Sequence, residues 1–287
     1  MKSKIILGSA NFDQKYGIKK NLIKKNQIEK LLSIAFKNKI KRIDTSPDYN
    51  KSEKIIGLLN NNRFKIISKI PKKPKKISKE NISKWVMENV MNSLSILKIK
   101  KLECLLLQDA NSLLGKNGKE IYRSIKNIKS RNLTTKIGIS IYDFKTLDKI
   151  LKNFKFDLIQ IPFNIFDQRL ITEGWLKNLK KKKIEVHARS IFLQGTLLLK
   201  KNELPKNLKK FGKHWSIWEN WIKKNKLNPL QACLLFVLNQ REIDGIVLGC
   251  DNINQFNQVL KVKKNNFIMP KFNITNSQLL DPRKWSN

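Results

Sequence analysis

Asp44, Tyr49 and Lys69 are the residues whose types and spacing could do chemistry. An apolar run ends at Ile43 on the acid Asp44, and five residues later Tyr49 stands just before an expected helix from Lys51 to Leu59. The run Lys65-Ile66-Ile67-Ser68-Lys69 repeats the plan, as a strand expected to close on a lysine. Neighbouring strands lie about 4.8 Å apart, so the three side chains converge if these two strands pair. A free tyrosine, with a pKa of about 10, is a sluggish acid at neutral pH unless a cation stabilises its phenolate. Lys69 would supply that cation, and Asp44 would keep it charged and aimed. Such an acid could protonate a carbonyl oxygen while hydride arrives at the carbon. Taken singly, each residue has a plainer reading: a helix cap, a packed ring and a solvated surface lysine.

The elements that must carry these residues alternate along the chain. Apolar runs expected as strands lie at Lys4 to Gly8, around Ile43, at Lys65 to Lys69, Leu102 to Asp109, Lys136 to Ser140, Asp157 to Asn164, Ile184 to Ser190 and Gly245 to Gly249. Between them, apolar residues recur at helical spacing. The expected helices are Gln27 to Lys37, with Phe36 on its apolar face, Lys51 to Leu59, Lys79 to Leu97, Gly118 to Ser130 and Phe144 to Leu151. Others follow from Ile171 to Lys182, Trp215 to Lys224 and Pro229 to Asn239, and a last one runs through Val262. Eight strand-helix steps argue for an α/β fold, a closed parallel TIM (β/α)8 barrel. Residues 1–287 read as a single domain of that kind, with 264–287 as a C-terminal tail. Polar residues recur where the runs end, at Gln108, Ser140, Gln160 and Asn164, as expected of a site on the carboxyl ends of barrel strands.

At these positions the chain resembles the aldo-keto reductase family, through most of its length. The family's strand-two signature is matched by Asp44-Thr45-Ser46, Tyr49, Ser52-Glu53 and Gly57, and its catalytic lysine falls on Lys69. The segment His187-Ala188-Arg189-Ser190-Ile191-Phe192-Leu193-Gln194-Gly195 is most similar to a bacterial subgroup with His-Ala-Arg-Ser at strand seven. The resemblance implies reduction of an aldehyde or ketone, with a sugar-derived carbonyl as the candidate the subgroup suggests, by NADPH or NADH. It implies that Asp44, Tyr49, Lys69 and Gln108 are catalytic. It also implies that Ser140 and Gln160 hold the nicotinamide carboxamide, that Arg189 and Ser190 flank the ring, and that Gly249, Asp251, Asn252 and Gln255 form the phosphate-binding turn.

The departures from the pattern bear on rate and cofactor. Gln108 stands where the family usually has a histidine; its amide donates a hydrogen bond but carries neither proton nor charge. Ile141 replaces the asparagine that usually follows the strand-five serine, and Arg189 replaces a stacking aromatic ring, which its planar guanidinium can imitate. The strand-eight turn lacks the Lys or Arg that holds a 2′-phosphate, and Asp251 could accept a hydrogen bond from an unphosphorylated ribose. NAD and NADP both stay open. A barrel without the usual histidine could also keep cofactor binding and act as a sensor or scaffold.

Composition narrows the remaining classes. The formal charge of +38 rests on 60 basic residues of which only eight are arginine, spread along the chain among Asn and Ile. Phosphate recognition would favour arginine's fork, so the basicity, including the runs at 72–76 and 180–183, reads as surface composition without a specific nucleic-acid partner. No apolar run approaches the roughly 20 residues of a membrane span, and no signal peptide is evident, so a cytoplasmic protein is expected. Cys104, Cys233 and Cys250 lack metal-ligand spacing, and the two histidines, His187 and His214, lack a second ligand, so no metal site is expected. Trp215, Trp218 and Trp221 stand three apart, as core packing would place them.

Overall fold

The computed structural model of the protein describes residues 2–12, 14–18, 22–74, 77–263, 268–272 and 274–285. Eight parallel strands close into a barrel in chain order. They are β1 (Ile5–Gly8), β2 (Arg42–Asp44), β3 (Lys65–Ile70), β4 (Leu102–Leu107), β5 (Thr134–Ser140), β6 (Leu158–Pro162), β7 (Glu185–Arg189) and β8 (Gly245–Leu248). β1 closes the circle on β8, with Ile5 opposite Ile246 and Leu7 opposite Leu248. Around them stand α1 (Lys25–Lys37), α2 (Ser52–Leu59), α3 (Ile82–Leu97), α4 (Gly118–Ser130), α5 (Phe144–Asn153), α6 (Arg169–Thr172) and α7 (Trp175–Lys181). α8 (Gly212–Lys224), α9 (Pro229–Leu238), α10 (Ile253–Lys261) and α11 (Ser277–Leu280) complete the set.

The strands are apolar on both faces because both are covered. Ile6, Ile67, Cys104, Leu106 and Leu158 fill the barrel interior. Their neighbours Ile5, Leu7, Ile66, Leu105 and Ile159 belong to the larger core beneath the helices. Several helices start where a short polar side chain relieves their unpaired N–H groups. Asp143 accepts from the Thr146 N–H at 2.7 Å to open α5. Asn228 and Gln231 cap each other's backbone at the start of α9, with Pro229 in the first turn. The barrel thus fixes strand ends that the connecting loops need only decorate.

The structure corrects several expected elements. β3 runs one residue beyond Lys69, to Ile70. The helix expected from Ile171 to Lys182 is two short helices, parted at Gly174, whose φ of 73° lies in the left-handed region that glycine tolerates. Phe36 leaves the apolar stripe of α1 and lies 45 % exposed, edge-on to Phe64. Trp215 and Trp218 are fully buried and donate to the carbonyls of Thr196 and Leu197, while Trp221 stacks on Trp218 with ring centroids 5.6 Å apart. Past α10 the chain packs back onto the barrel, where Leu279 and Leu280 are buried and the Pro270 carbonyl accepts from Gln168.

Lys180 of the 180–183 run is pinned by Asp244 at 2.8 Å, whereas Lys181, Lys182 and Lys183 are exposed. Lys75 and Lys76 of the other run, residues 13 and 19–21 of the loop after β1, and residues 264–267, where the tail was expected to begin, lie outside the described residues. No helix among the described residues is long and apolar enough to cross a membrane.

Candidate active site

Asp44, Tyr49 and Lys69 meet because β2 and β3 are neighbours, with Asp44 opposite Ile67. Lys69 Nζ donates to Asp44 Oδ1 at 2.6 Å and to the Thr45 carbonyl at 2.7 Å, in a pair whose side chains are 3 % and 4 % exposed. The second oxygen of Asp44 accepts from Gln160 Nε2 at 2.7 Å, across the barrel from β6. A buried ion pair is tolerated when its remaining hydrogen-bonding capacity is met, and here both carboxylate oxygens are occupied. Lys69 Nζ lies 5.0 Å from the centroid of the Tyr49 ring.

The two sides of this contact respond differently to burial. Burial alone would lower the pKa of Lys69, but Asp44 and Tyr49 outweigh it and hold the ammonium above its ordinary range. For Tyr49 burial is the largest cause and raises the pKa, with the opposing charge of Lys69 only partly compensating. Lys69 thus lowers the Tyr49 pKa, as expected of it, but burial outweighs that influence and leaves the phenol above its ordinary value. The sequence names the cation beside the ring but not the desolvation around it.

The rest of the strand-two signature fastens the strand. Ser52 Oγ donates within the Ser9–Ser52 pair, at 2.7 Å to Ser9 Oγ and 3.1 Å to the Ser9 carbonyl. Glu53 is buried, accepting from Ser68 at 2.6 Å and Ser93 at 3.1 Å, and burial raises its pKa. A Cβ on Gly57 would sit 2.0 Å from the Ile96 carbonyl oxygen, so glycine is what lets α2 meet the end of α3. These contacts seat the loop that presents Tyr49.

Gln108 follows β4 and borders the same space. Its Oε1 accepts from Ser46 Oγ at 2.9 Å, and Ser46 Oγ in turn accepts from the Asp48 N–H at 3.2 Å. With the backbone N–H on its oxygen, the Ser46 hydroxyl has its proton to give to Gln108. The amide is thereby oriented with its NH2 group as the remaining donor.

The residues expected to be catalytic or to hold a cofactor border one cavity of about 940 Å³ at the carboxyl ends of the strands. Asp44, Tyr49, Lys69, Gln108, Ser140, Gln160, Arg189 and Ser190 lie along it, as do Gly249, Asp251, Asn252 and Gln255. Asn164, also expected at this face, is buried away from the cavity, donating to the Ser190 carbonyl and accepting from the Phe166 and Asp167 N–H groups. Several have prior commitments. Gln160 gives an amide proton to Asp44 and so offers a ligand chiefly its carbonyl. Asn252 caps α10 by accepting from the Gln255 N–H at 2.8 Å, and Gln255 Oε1 accepts from the Asp251 N–H at 2.5 Å. The Arg189 guanidinium lies over the Tyr142 ring, 3.9 Å from its centroid, and donates to the Ile141 carbonyl at 3.2 Å.

Tyr16, Tyr142, Asn11, Asn254, Gln258 and Arg283 also border the cavity and were not expected there. A signal existed for two of them: the chain has only four tyrosines, and Tyr16 and Tyr142 each follow shortly after a strand end. Asn11 donates to the Cys250 carbonyl at 2.6 Å and has a buried Oδ1 with no partner among the described residues. His187 lies away from this cavity, buried beside Glu185 at 2.9 Å, and His214 is half-buried against Phe166. Cys104, Cys233 and Cys250 are buried free thiols. No group of three or more His, Cys, Asp or Glu among the described residues could hold a metal ion.

The model of the Aldo/keto reductase family matches residues 4–275. The chain belongs to that family. Among solved structures it is similar to a glycerol dehydrogenase from Gluconobacter oxydans, at 17% identity with a TM-score of 0.71, covering 92% of this chain and 88% of that one. An aldo-keto reductase from Bacillus halodurans, in its apo form, is 16% identical with a TM-score of 0.66, covering 85% and 84%. A putative aldo-keto reductase from Pseudomonas aeruginosa is 17% identical with a TM-score of 0.64, covering 90% and 88%. At these identities the structures speak to the fold, and the family match places this chain among oxidoreductases of carbonyl groups. No curated protein matches the chain.

Proposed function

We propose that this aldo/keto reductase reduces an aldehyde or ketone of a small molecule to the alcohol, with Tyr49 as the general acid. The observation that carries the reading is the buried Asp44–Lys69 pair, 2.6 Å apart, with Lys69 Nζ 5.0 Å from the Tyr49 ring on a cavity of about 940 Å³. That volume suits a dinucleotide together with a small substrate. The fit is supported by the orphaned Asn11 Oδ1, a buried acceptor that a ligand hydroxyl would satisfy, and by Gly249, where an added Cβ would meet open space.

NADH or NADPH, when bound, supplies the hydride. Ser140 and the Gln160 carbonyl are the groups available to an amide, Arg189 and Ser190 lie beside them, and Gly249, Asp251, Asn252 and Gln255 offer the turn before α10. The chain's own part in the reaction is proton transfer and orientation. The Gln108 NH2 donates to the carbonyl oxygen and polarises it. The Tyr49 hydroxyl delivers its proton to that oxygen as charge develops there. A phenol with a raised pKa still protonates an alkoxide, because an alcohol is about as weak an acid as water, near 15.7. Lys69 then stabilises the phenolate left behind, and Asp44 holds Lys69 in place.

A second reading, a cofactor-binding sensor or scaffold with little turnover, draws on the uncharged Gln108 and the raised pKa of Tyr49. The test is titration of the purified protein with NADH and NADPH, read by quenching of tryptophan fluorescence, followed by a panel of aldehydes and keto sugars. Oxidation of the cofactor that disappears in Tyr49→Phe supports the reductase. Binding without oxidation supports the sensor, and failure to bind either cofactor rejects both readings.

A further inference from the structure

The loops that follow β1 and β7 meet at the cavity wall. The Ile18 N–H donates to the Gln194 carbonyl at 2.9 Å, and Gln194 Nε2 donates to the Tyr16 hydroxyl oxygen at 3.0 Å. Gln194 makes both contacts from a φ of 57°, a left-handed conformation that residues other than glycine seldom adopt. Tyr16, Ile18 and Gln194 all border the cavity.

An amide nitrogen only donates, so the Tyr16 oxygen is the acceptor in that bond and its own proton is left to give. No acceptor for that proton stands among the described residues. The residue as a whole is 43 % exposed, yet burial raises the pKa of its phenol above the ordinary value, with the Gln194 hydrogen bond opposing. Tyr16 therefore stays a neutral donor at pH 7. It feels the charges of Arg189 and Lys69 and acts in turn on Tyr49, so its hydroxyl lies on the catalytic side of the cavity.

The groups around it have other commitments. Tyr142 is stacked between Arg189 and Arg283, in the turn after α11, whose guanidinium carbons lie 3.9 Å and 3.5 Å from its ring centroid. Tyr49 and Gln108 serve the reacting oxygen in the proposed reaction. Tyr16 is thus a donor with no task in the proton transfer. A site that holds a spare donor favours the ligand that satisfies it and rejects the analogue that leaves it unpaired.

We infer that Tyr16, oriented by Gln194, donates to a second oxygen of the substrate and so selects hydroxylated carbonyl compounds over their alkyl counterparts. The inference rests on the reductase reading and narrows its substrate class. The amide and ribose oxygens of a cofactor offer the same chemistry, and the experiment separates the two sources.

The experiment compares kcat/KM for 2,3,4-trihydroxybutanal with that for butanal, a chain of equal length without further oxygens, using the full chain. Tyr16→Phe lowers the ratio of the two about tenfold, the worth of one hydrogen bond. Gln194→Glu lowers it as far, because a carboxylate accepts the phenol's proton and withholds it from the substrate. Gln194→Met leaves that proton free and lowers the ratio less, an order that a merely structural role for the pair would not produce. An unchanged ratio in Tyr16→Phe overturns the inference while leaving the reductase standing. A fall in cofactor affinity in Tyr16→Phe, read by fluorescence quenching, with the ratio unchanged assigns the bond to the cofactor and also overturns it. If no aldehyde is turned over, the reductase reading fails. The subsite is then judged by calorimetry with 2,3,4-trihydroxybutanal, where binding that weakens in Tyr16→Phe supports it, and equal binding by both proteins or none by the natural one rejects it.

Discussion

Ser46 Oγ lies 2.9 Å from Gln108 Oε1 and donates its proton to that oxygen, because an amide oxygen can only accept, while the hydroxyl oxygen itself accepts from the Asp48 N–H at 3.2 Å. The consequence is a Gln108 amide whose NH2 group is the donor left over. Removing the hydroxyl frees the amide to turn. Ser46→Ala is therefore expected to lower kcat about five- to tenfold, the worth of one ordinary hydrogen bond, with KM little changed. Ser46→Thr, which keeps the hydroxyl, should recover most of the rate. Steady-state kinetics on the best aldehyde of the panel checks this, and a fall in stability without a change in kcat would contradict it.

Tyr49 carries a pKa raised mainly by burial, with Lys69 opposing. The phenol therefore stays protonated throughout the neutral range, and carbonyl reduction should show no loss of rate from pH 7 to pH 9 attributable to Tyr49. The sign for Lys69 follows from the same balance. Deleting its charge in Lys69→Met removes the influence that lowers the phenol's pKa, so that pKa rises further. It also strands Asp44 in a buried site, which costs about 3–5 kcal/mol. A pH-rate profile and a thermal melt of Lys69→Met measure both effects. An alkaline limb in the natural protein below pH 9 that vanishes in Tyr49→Phe would refute the first.

Asp251 stands in a stretch, residues 249–260, that contains no Lys or Arg, although the chain has 60 basic residues in 287. Its carboxylate borders the cavity near the Asn252 cap. A phosphate placed there meets a negative charge and no Lys or Arg of that stretch, whereas a ribose hydroxyl meets an acceptor. NADH should bind more tightly than NADPH, and Asp251→Asn should narrow the gap about five- to tenfold. Dissociation constants from fluorescence quenching decide the matter, and tighter NADPH binding in the natural protein would reverse the assignment.

What was legible in the sequence follows the range over which each cause acts. The barrel was readable because strand and helix periods are local, and Asp44 with Lys69 because each closes or nearly closes an apolar run. Helix breaks were less so: Gly174 looks like any glycine until its φ of 73° is known. The Ser46–Gln108 bond joins residues 62 apart, and the Gln160–Asp44 bond joins residues 116 apart, so neither leaves a local trace. Arg283 was out of reach for the same reason, since nothing in the terminal segment says that it returns to Tyr142. The direction of the Tyr49 shift was missed because desolvation sums over every neighbour, whereas Lys69 alone could be named.

Glu185 makes a prediction away from the cavity, at the opposite end of β7 from Arg189. It accepts from Lys136 at 2.5 Å and Arg42 at 3.2 Å, and lies 2.9 Å from His187 Nε2. Burial alone would raise its pKa, but the hydrogen bonds and charges of His187 and Lys136 outweigh it and hold the carboxyl down to about 2. A carboxyl whose pKa is lower folded than unfolded stabilises the fold above its unfolded pKa of about 4.3 and loses that contribution as pH falls through the folded value. Acid unfolding monitored by circular dichroism should therefore steepen between about pH 4.3 and pH 2. Glu185→Gln should flatten that slope and cost about 2 kcal/mol at pH 7, after allowance for the solvent that reaches the pair. An unchanged slope in Glu185→Gln would mean that other carboxylates govern the acid limb.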